Sequence, residues 1–283
     1  MNDLLERLGL HGHRRAVVVS LDELGFSLSA NAAIYASLRD GVGTSASLIV
    51  PAPWSREAAA AYRGEDVGVQ LTLNAELDLY RWGPITHAPS LLDGDGGFPR
   101  TIHDVWEHAD LDEVRREWRA QVERAIYWGF DVTHLTAHLP DVALKPEFFD
   151  IYLDLATEMR LPVRLPSAER EAAVGFPFRA LADEREVLAP KRVITVGAIE
   201  TPDPDEALVD LLFELGEGLS ELRLRPAEDS AELRSATPRD WPERTRAARF
   251  AGREGALGRA LQRCGIPRVG YRRLRSLMRS SVR

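Results

Sequence analysis

Apolar residues along this chain come in two kinds of run. Short unbroken stretches, clearest at Ala-Val-Val-Val (16–19), read as strands covered on both faces, as in parallel sheets. Longer stretches have helical spacing. In 27–39, Ala30, Ile34 and Leu38 share one face, and Ser27 or Ser29 offers an N-cap. The pattern predicts strands within 16–25 and at 44–50, 66–73, 132–139, 161–166, 192–197, 219–224 and 269–271. Helices are expected at 55–62, 111–128, 148–159, 204–215 and 242–264, with helix plus loop over 167–190.

Strands alternating with helices, without an internal repeat, predict an α/β fold: a distorted (β/α) TIM-like barrel of seven or eight strands. A single barrel domain is expected over 15–275, after an N-terminal extension at 1–14 and before a basic tail at 276–283. The segment 74–110 far exceeds the usual connection of about 4–6 residues, which marks it as functional or disordered. Its Tyr80-Arg-Trp-Gly-Pro84, Trp106 and three histidines are too aromatic for a free linker.

Composition narrows the class. A net charge of −8 argues against a sequence-independent grip on nucleic acid. Cys264 is the only cysteine, so no intramolecular disulfide can form. No run approaches the roughly 20 apolar residues of a membrane helix. The opening residues mix acids with leucines and have no basic n-region, so the expectation is a cytoplasmic protein without a signal peptide. A homodimer is left open. The arginines at 272, 273, 275 and 279 read as a solvated, frayed tail, and His11 and His13 as a solvated loop.

In parallel α/β folds, ligands bind at the carboxyl ends of the strands. Asp22 and Glu23 stand where the first strand ends, Gln70 in the third, His138 at the end of the fourth and Arg225 after the seventh; a barrel brings such positions to one mouth. Taken by itself, the acid pair reads first as a solubilised turn that favours the N-terminus of the following helix.

Several stretches share an order and spacing with a known family. Leu21-Asp-Glu-Leu-Gly25 resembles an Asp-Asp-Phe/Leu-Gly motif, followed by Ser29-Ala-Asn31 at the expected offset. Gly43-Thr-Ser-Ala-Ser-Leu-Ile-Val50 resembles the second-strand signature, and Gly68-Val-Gln-Leu-Thr-Leu73 resembles Gly-Val-His-Leu-Thr-Leu. Tyr80-Arg-Trp-Gly-Pro84 and Ser90-Leu-Leu-Asp-Gly-Asp-Gly96 are similar to a loop of one branch. Thr133-His-Leu-Thr-Ala-His138 resembles Thr-His-Leu-Asp-Ser/Thr-His, and Leu224-Arg-Pro-Ala227 stands where a His-Pro pair is usual. Over about 15–274 the chain resembles the YdjC/ChbG family of carbohydrate deacetylases, which is related to the hopanoid-biosynthesis deacetylases.

The resemblance implies removal of an acetyl group from an N-acetylated amino-sugar compound or oligosaccharide by metal-assisted water attack. It places Asp22 as the base, Glu23 and His138 as metal ligands, Gln70 at a second ligand histidine and Arg225 at the histidine that assists the leaving amine. Thr136 stands where the family has an aspartate. Tyr80, Arg81, Trp82 and Gln70 are the expected substrate contacts. The implied cofactor is a divalent ion, Mg²⁺ or Zn²⁺. A glutamine amide oxygen suits the harder ion, and a guanidinium at position 225 cannot give up a proton. These substitutions leave two outcomes: a metal-dependent N-deacetylase with Asp22 and Arg225 in catalysis, or a deacetylase-fold protein that binds a carbohydrate or partner without turnover, with Arg225 paired to the acids.

Overall fold

A computed structural model describes residues 3–280. In chain order the elements are α1 (Asp3–Arg7), β1 (Arg15–Leu24), α2 (Leu28–Asp40), β2 (Ser45–Leu48), α3 (Ser55–Ala61), β3 (Val67–Leu71), α4 (Ile102–His108) and α5 (Leu111–Tyr127). There follow β4 (Val132–Ala137), α6 (Pro146–Met159), α7 (Ala168–Val174), α8 (Phe178–Glu184), β5 (Arg192–Thr195), α9 (Pro204–Glu214) and β6 (Gly218–Leu224). The last four are α10 (Ala231–Ala236), α11 (Trp241–Ala251), α12 (Ala256–Cys264) and α13 (Tyr271–Ser280).

The strands form one parallel sheet in the order β4-β3-β2-β1-β6-β5. β1 lies near the centre and is buried from Ala16 onward, as its apolar run requires. An irregular segment draws the two edges together. Leu135 of β4 accepts from Arg164 N–H and donates to Pro162 C=O, both at 3.0 Å, while Val163 N–H reaches Leu188 C=O at 3.0 Å, just before β5. The result is a barrel-like sheet with one seam of isolated bridges.

That seam corrects the expected strand count. The described residues contain six strands, not seven or eight. Segment 161–166 makes a single bridge, Val163 to Leu135, because Pro162 and Pro166 have no N–H to give a ladder. Around 269–271 there is likewise one bridge, Val17 to Arg268. Beyond it the backbone donors go to side chains: Tyr271 N–H to Ser45 Oγ at 3.0 Å and Arg272 N–H to Asp66 Oδ2 at 2.7 Å, which starts a helix instead of a strand.

Two further segments differ from their expected form. The single helix expected over 242–264 is two, α11 and α12, broken at Gly252–Gly255; a Cβ on Gly255 would lie 2.1 Å from Phe250 C=O. The basic C-terminal run is folded as α13 rather than frayed. Arg275 pairs with Asp131 and is 8% exposed, and Arg273 reaches Leu8 C=O. Leu5, Leu8, Val18, Val269 and Leu274 form a small apolar cluster there, so the N-terminal segment and α13 together cover the end of the barrel opposite the strand tips. Residues 281–283 of the expected tail lie outside the described residues.

Candidate functional site

Neighbouring residues on a strand point to opposite faces, yet Asp22 and Glu23 both serve the strand-end site. A bulge makes this possible. The β1–β2 register runs Asp22 to Ser47 and then Leu24 to Leu48, with Glu23 left over at φ 71°. The left-handed conformation, uncommon for a glutamate, is locked from several sides. Glu23 N–H donates to Gln70 Oε1 at 2.9 Å, Phe26 N–H donates to Glu23 C=O at 3.1 Å, and Gly25 N–H donates to Asn31 Oδ1 at 2.7 Å.

Asp22 is fully buried and held by two guanidinium groups. Arg164 donates from Nη1 and Nη2 to its two oxygens, each at 2.8 Å, and Arg223 donates from Nε at 2.5 Å. Arg164 also pairs with buried Glu221, whose other oxygen accepts the Tyr271 hydroxyl at 2.6 Å. Burial alone would raise the Asp22 pKa, but Arg164 and Arg223 outweigh it and hold the carboxyl well below its usual range. A carboxylate so stabilised is a poor proton acceptor at neutral pH.

Glu23 has a second set of cations. It pairs with Arg244, whose guanidinium lies 4.7 Å over the Phe26 ring, and Arg225 Nη1 stands 3.8 Å from its other oxygen. Burial opposes the charged form, but Arg244 and Arg225, with His138, leave the Glu23 pKa lowered. Arg225 is further tied to Glu243 at 3.1 Å and to Asp240 at 3.7 Å.

His138, buried at the end of β4, has its Nε2 3.0 Å from Glu76 Oε2. Burial would lower its pKa, but Glu76, by charge and hydrogen bond, and Glu23 raise it above its ordinary value; Glu76 in turn, despite its own burial, is pulled down to about 2, chiefly by His138. Trp82 lies edge-on to the imidazole at 5.7 Å and packs with Phe26 and Tyr80.

The family model for YdjC-like proteins matches residues 16–255. The chain belongs to the YdjC family. Among relatives of this YdjC member, the carbohydrate deacetylase of Thermus thermophilus is 40% identical over 176 residues, 62% of each chain. That of Brevibacillus brevis is 34% identical over 154 residues, 53% of this chain and 59% of the relative. The matched stretch thus spans about three-fifths of these relatives. Among solved structures, a proposed cellobiose-phosphate cleavage protein from Enterococcus faecalis superposes with a TM-score of 0.76 at 24% identity, over 93% of this chain and 99% of that one. A lactam utilization protein from Thermus thermophilus gives 0.51 at 14%, over 90% and 99%. Both likenesses concern the fold.

The residues of this YdjC chain do not suit a divalent ion. Glu23 already faces two guanidinium groups, Gln70 has its oxygen on a backbone N–H, and His138 carries its carboxylate partner and a raised pKa. A dication here would be set against Arg225 and Arg244, and His138 Nε2 would have to give up Glu76 to ligate it. Among the described residues no group of three or more His, Cys, Asp or Glu side chains is arranged to hold a metal.

The fold brings Asp22, Glu23, Gln70, His138 and Arg225 to the strand-end side, as the strand-end argument expected, and sets Trp82, a contact the resemblance implied, against His138. Tyr80 joins them through its hydroxyl, which donates to Phe26 C=O. Arg81 is placed differently: its guanidinium joins Asp93 and the carbonyls of Ala75 and Phe98, stapling the long loop. Sequence reasoning missed Arg164, Arg223, Arg244, Glu221 and Glu76. The signal for three of them was present: Arg164, Glu221 and Arg223 are charged residues inside otherwise apolar strand-like runs, and a charge there must be paired. Nothing local marks Arg244, on a helix rich in arginine, or Glu76, in a loop.

Proposed function

We propose that this YdjC-family protein is a carbohydrate-recognising member that holds an N-acetylated amino-sugar compound at the strand-end site without metal-assisted turnover. The names of its relatives support a carbohydrate as ligand and deacetylation as the family's chemistry. The observation that carries the rest is the arrangement at Asp22, the residue at the base position, with both oxygens accepting from Arg164 and one also from Arg223. Such a carboxylate does not take a proton from water at neutral pH, and guanidinium groups have no empty orbital with which to acidify a bound water.

A polar ligand is supported by the buried atoms around Glu23. Gln70 Nε2, Trp82 Nε1, Thr136 Oγ1, His138 Nδ1, Arg225 Nε and Arg244 Nε have no hydrogen-bond partner in the protein. Buried polar atoms in folded proteins are nearly always satisfied, and hydroxyl and amide groups of a sugar offer both donors and acceptors.

Elemental analysis, acetate release and calorimetry on the purified protein test the reading. The expected result is saturable binding of di-N-acetylchitobiose, no stoichiometric metal, and no acetate after supplementation with Mg²⁺ or Zn²⁺. Chelator-sensitive acetate release from that disaccharide would restore the metal-dependent deacetylase, the reading favoured by the relatives' names.

A further inference from the structure

A cavity of about 870 Å³ opens at the end of the barrel where the strands begin. His13, which precedes β1, lines it, as do Val42, between α2 and β2, and Arg268, beyond α12. Its place is fixed by Val17 of β1, whose N–H donates to Pro267 C=O at 3.0 Å and whose C=O accepts from Val269 N–H at 2.9 Å, on either side of Arg268. From Val17 the strand runs about 16 Å further to Asp22, so the cavity is a separate place from the strand-end site. The volume lies within the roughly 300–1,000 Å³ of small-molecule sites.

Arginines in this part of the chain mostly answer a carboxylate. Arg259 holds Asp205 with two bonds, at 2.8 and 2.7 Å, Arg263 stands 3.5 Å from Glu206, and Arg275 pairs with Asp131. Arg253 and Arg268 do not. Both are exposed, both line the cavity, and neither side chain has a hydrogen bond or ion pair among the described residues. With Arg259 matched to Asp205, the lining keeps two unpaired guanidinium groups against the single carboxylate of Glu254, so it is positive in a chain of net charge −8. His13 adds an imidazole N–H. Buried Val42, Leu261 and Ile266 supply the apolar part of the wall.

A guanidinium binds phosphate through two parallel N–H···O bonds, and a phosphate ester has the charge and the oxygens for two such groups at once, whereas a carboxylate is matched by one. The volume leaves room for more than the phosphate itself, and the apolar wall suits an organic body. We propose that this cavity is a second ligand site, which takes a small molecule bearing a phosphate ester, with the phosphate on Arg253 and Arg268 and the organic part against Val42, Leu261 and Ile266. The proposal is independent of the carbohydrate reading above, because the cavity shares no residue with the strand-end site.

The test is calorimetric titration of the full chain with two phosphate esters, ADP and glucose 6-phosphate, and with their phosphate-free parents, adenosine and glucose. Wild-type protein is expected to bind at least one ester saturably and at least tenfold more tightly than its parent, and the ester that binds tells whether the organic part is a nucleoside or a sugar. Arg253→Gln and Arg268→Gln each remove one unpaired guanidinium from an exposed position, and each is expected to weaken that binding at least tenfold with an unchanged melting temperature. The charge reversal Arg253→Glu/Arg268→Glu is expected to abolish it. Arg63→Gln, an exposed arginine that does not line the cavity, serves as control and is expected to bind normally. Failure of wild type to bind either ester overturns the proposal, as does a parent that binds as tightly as its ester. Binding that is equal in wild type and both glutamine variants belongs elsewhere on the molecule and overturns it too.

Discussion

Arg164 and Asp22 lie 142 residues apart in sequence and meet as a bidentate pair, both N–H···O distances 2.8 Å, in the buried interior of the barrel-like sheet. Arg164 comes from the seam segment and Asp22 from the central strand, so the pair fastens the weakest-laddered edge of the sheet to its middle. It also bears on the function proposed above, because the carboxylate that the family resemblance would make a base is engaged by two guanidinium groups.

A buried pair is costly to halve. Asp22→Ala leaves Arg164 with Glu221 as its carboxylate partner and takes from Arg223 the carboxylate it bonds, and the expected loss is about 3–5 kcal/mol in urea denaturation. In the double variant Asp22→Ala/Arg223→Met one of the stranded charges is gone, so its loss should be smaller than the sum of the single losses. Additive losses would show that the two residues do not act as a unit.

The Tyr271 hydroxyl extends the network to α13. Tyr271→Phe keeps the ring stacked on His134, at 3.9 Å, and removes only the bond to Glu221. A hydrogen bond to a charged group is worth about 1.5–3 kcal/mol, and a fall of that size is expected in chemical denaturation. An unchanged midpoint would separate α13 from the charge network.

Stability should pass through a maximum in mildly acidic solution. Asp22, Glu23 and Glu76 have lowered pKa values, Glu76 to about 2, so what they contribute is complete above their ordinary values of 3.8 to 4.5 and is lost as pH falls below them. His138 is raised, so its contribution is complete below 6.5 and disappears as pH rises through its folded value. Denaturation midpoints measured across pH should therefore decline on both sides. Glu76→Gln, which removes the main partner of His138, should flatten the alkaline side, and an unaltered profile would disprove the pairing.

Gly25 sits at φ 89°, and a Cβ there would lie 3.1 Å from both Ile49 C=O and Ser55 Cα. Gly25→Ala is expected to cost about 1–3 kcal/mol from the backbone conformation, with a further loss from the contacts. Gly12, at φ 78° with nothing within 4 Å, isolates the conformational part. Gly12→Ala should therefore cost less, and equal losses would rule out the steric contribution.

Much of the fold could be read from local pattern. The expected helix at 27–39 is found at 28–40, and the expected strand at 219–224 is found at 218–224, because period and caps act over a few residues. Strand-end logic likewise gathered Asp22, Gln70, His138 and Arg225. What it lacked was the partners. Arg244 reaches Glu23 from a helix more than two hundred residues away, and Glu76 reaches His138 from a loop, so neither pairing leaves a periodic trace. The two strands that proved to be single bridges failed for a different reason. Apolar composition suited them, but prolines at 162 and 166, and the side chains of Ser45 and Asp66, took the backbone out of the ladder.

By itself the sequence determined the α/β alternation, the buried central strand and the positions that face its far end, since each follows from short-range hydrophobic spacing. It also determined that the second acid is a glutamate and that a glutamine and an arginine stand at positions where the family resemblance implies histidines. Only the tertiary structure decided that four arginines answer the two acids and that a bulge turns both carboxylates inward. Charge pairing across a barrel depends on distances set by the closed chain, and spacing along the sequence carries no measure of them.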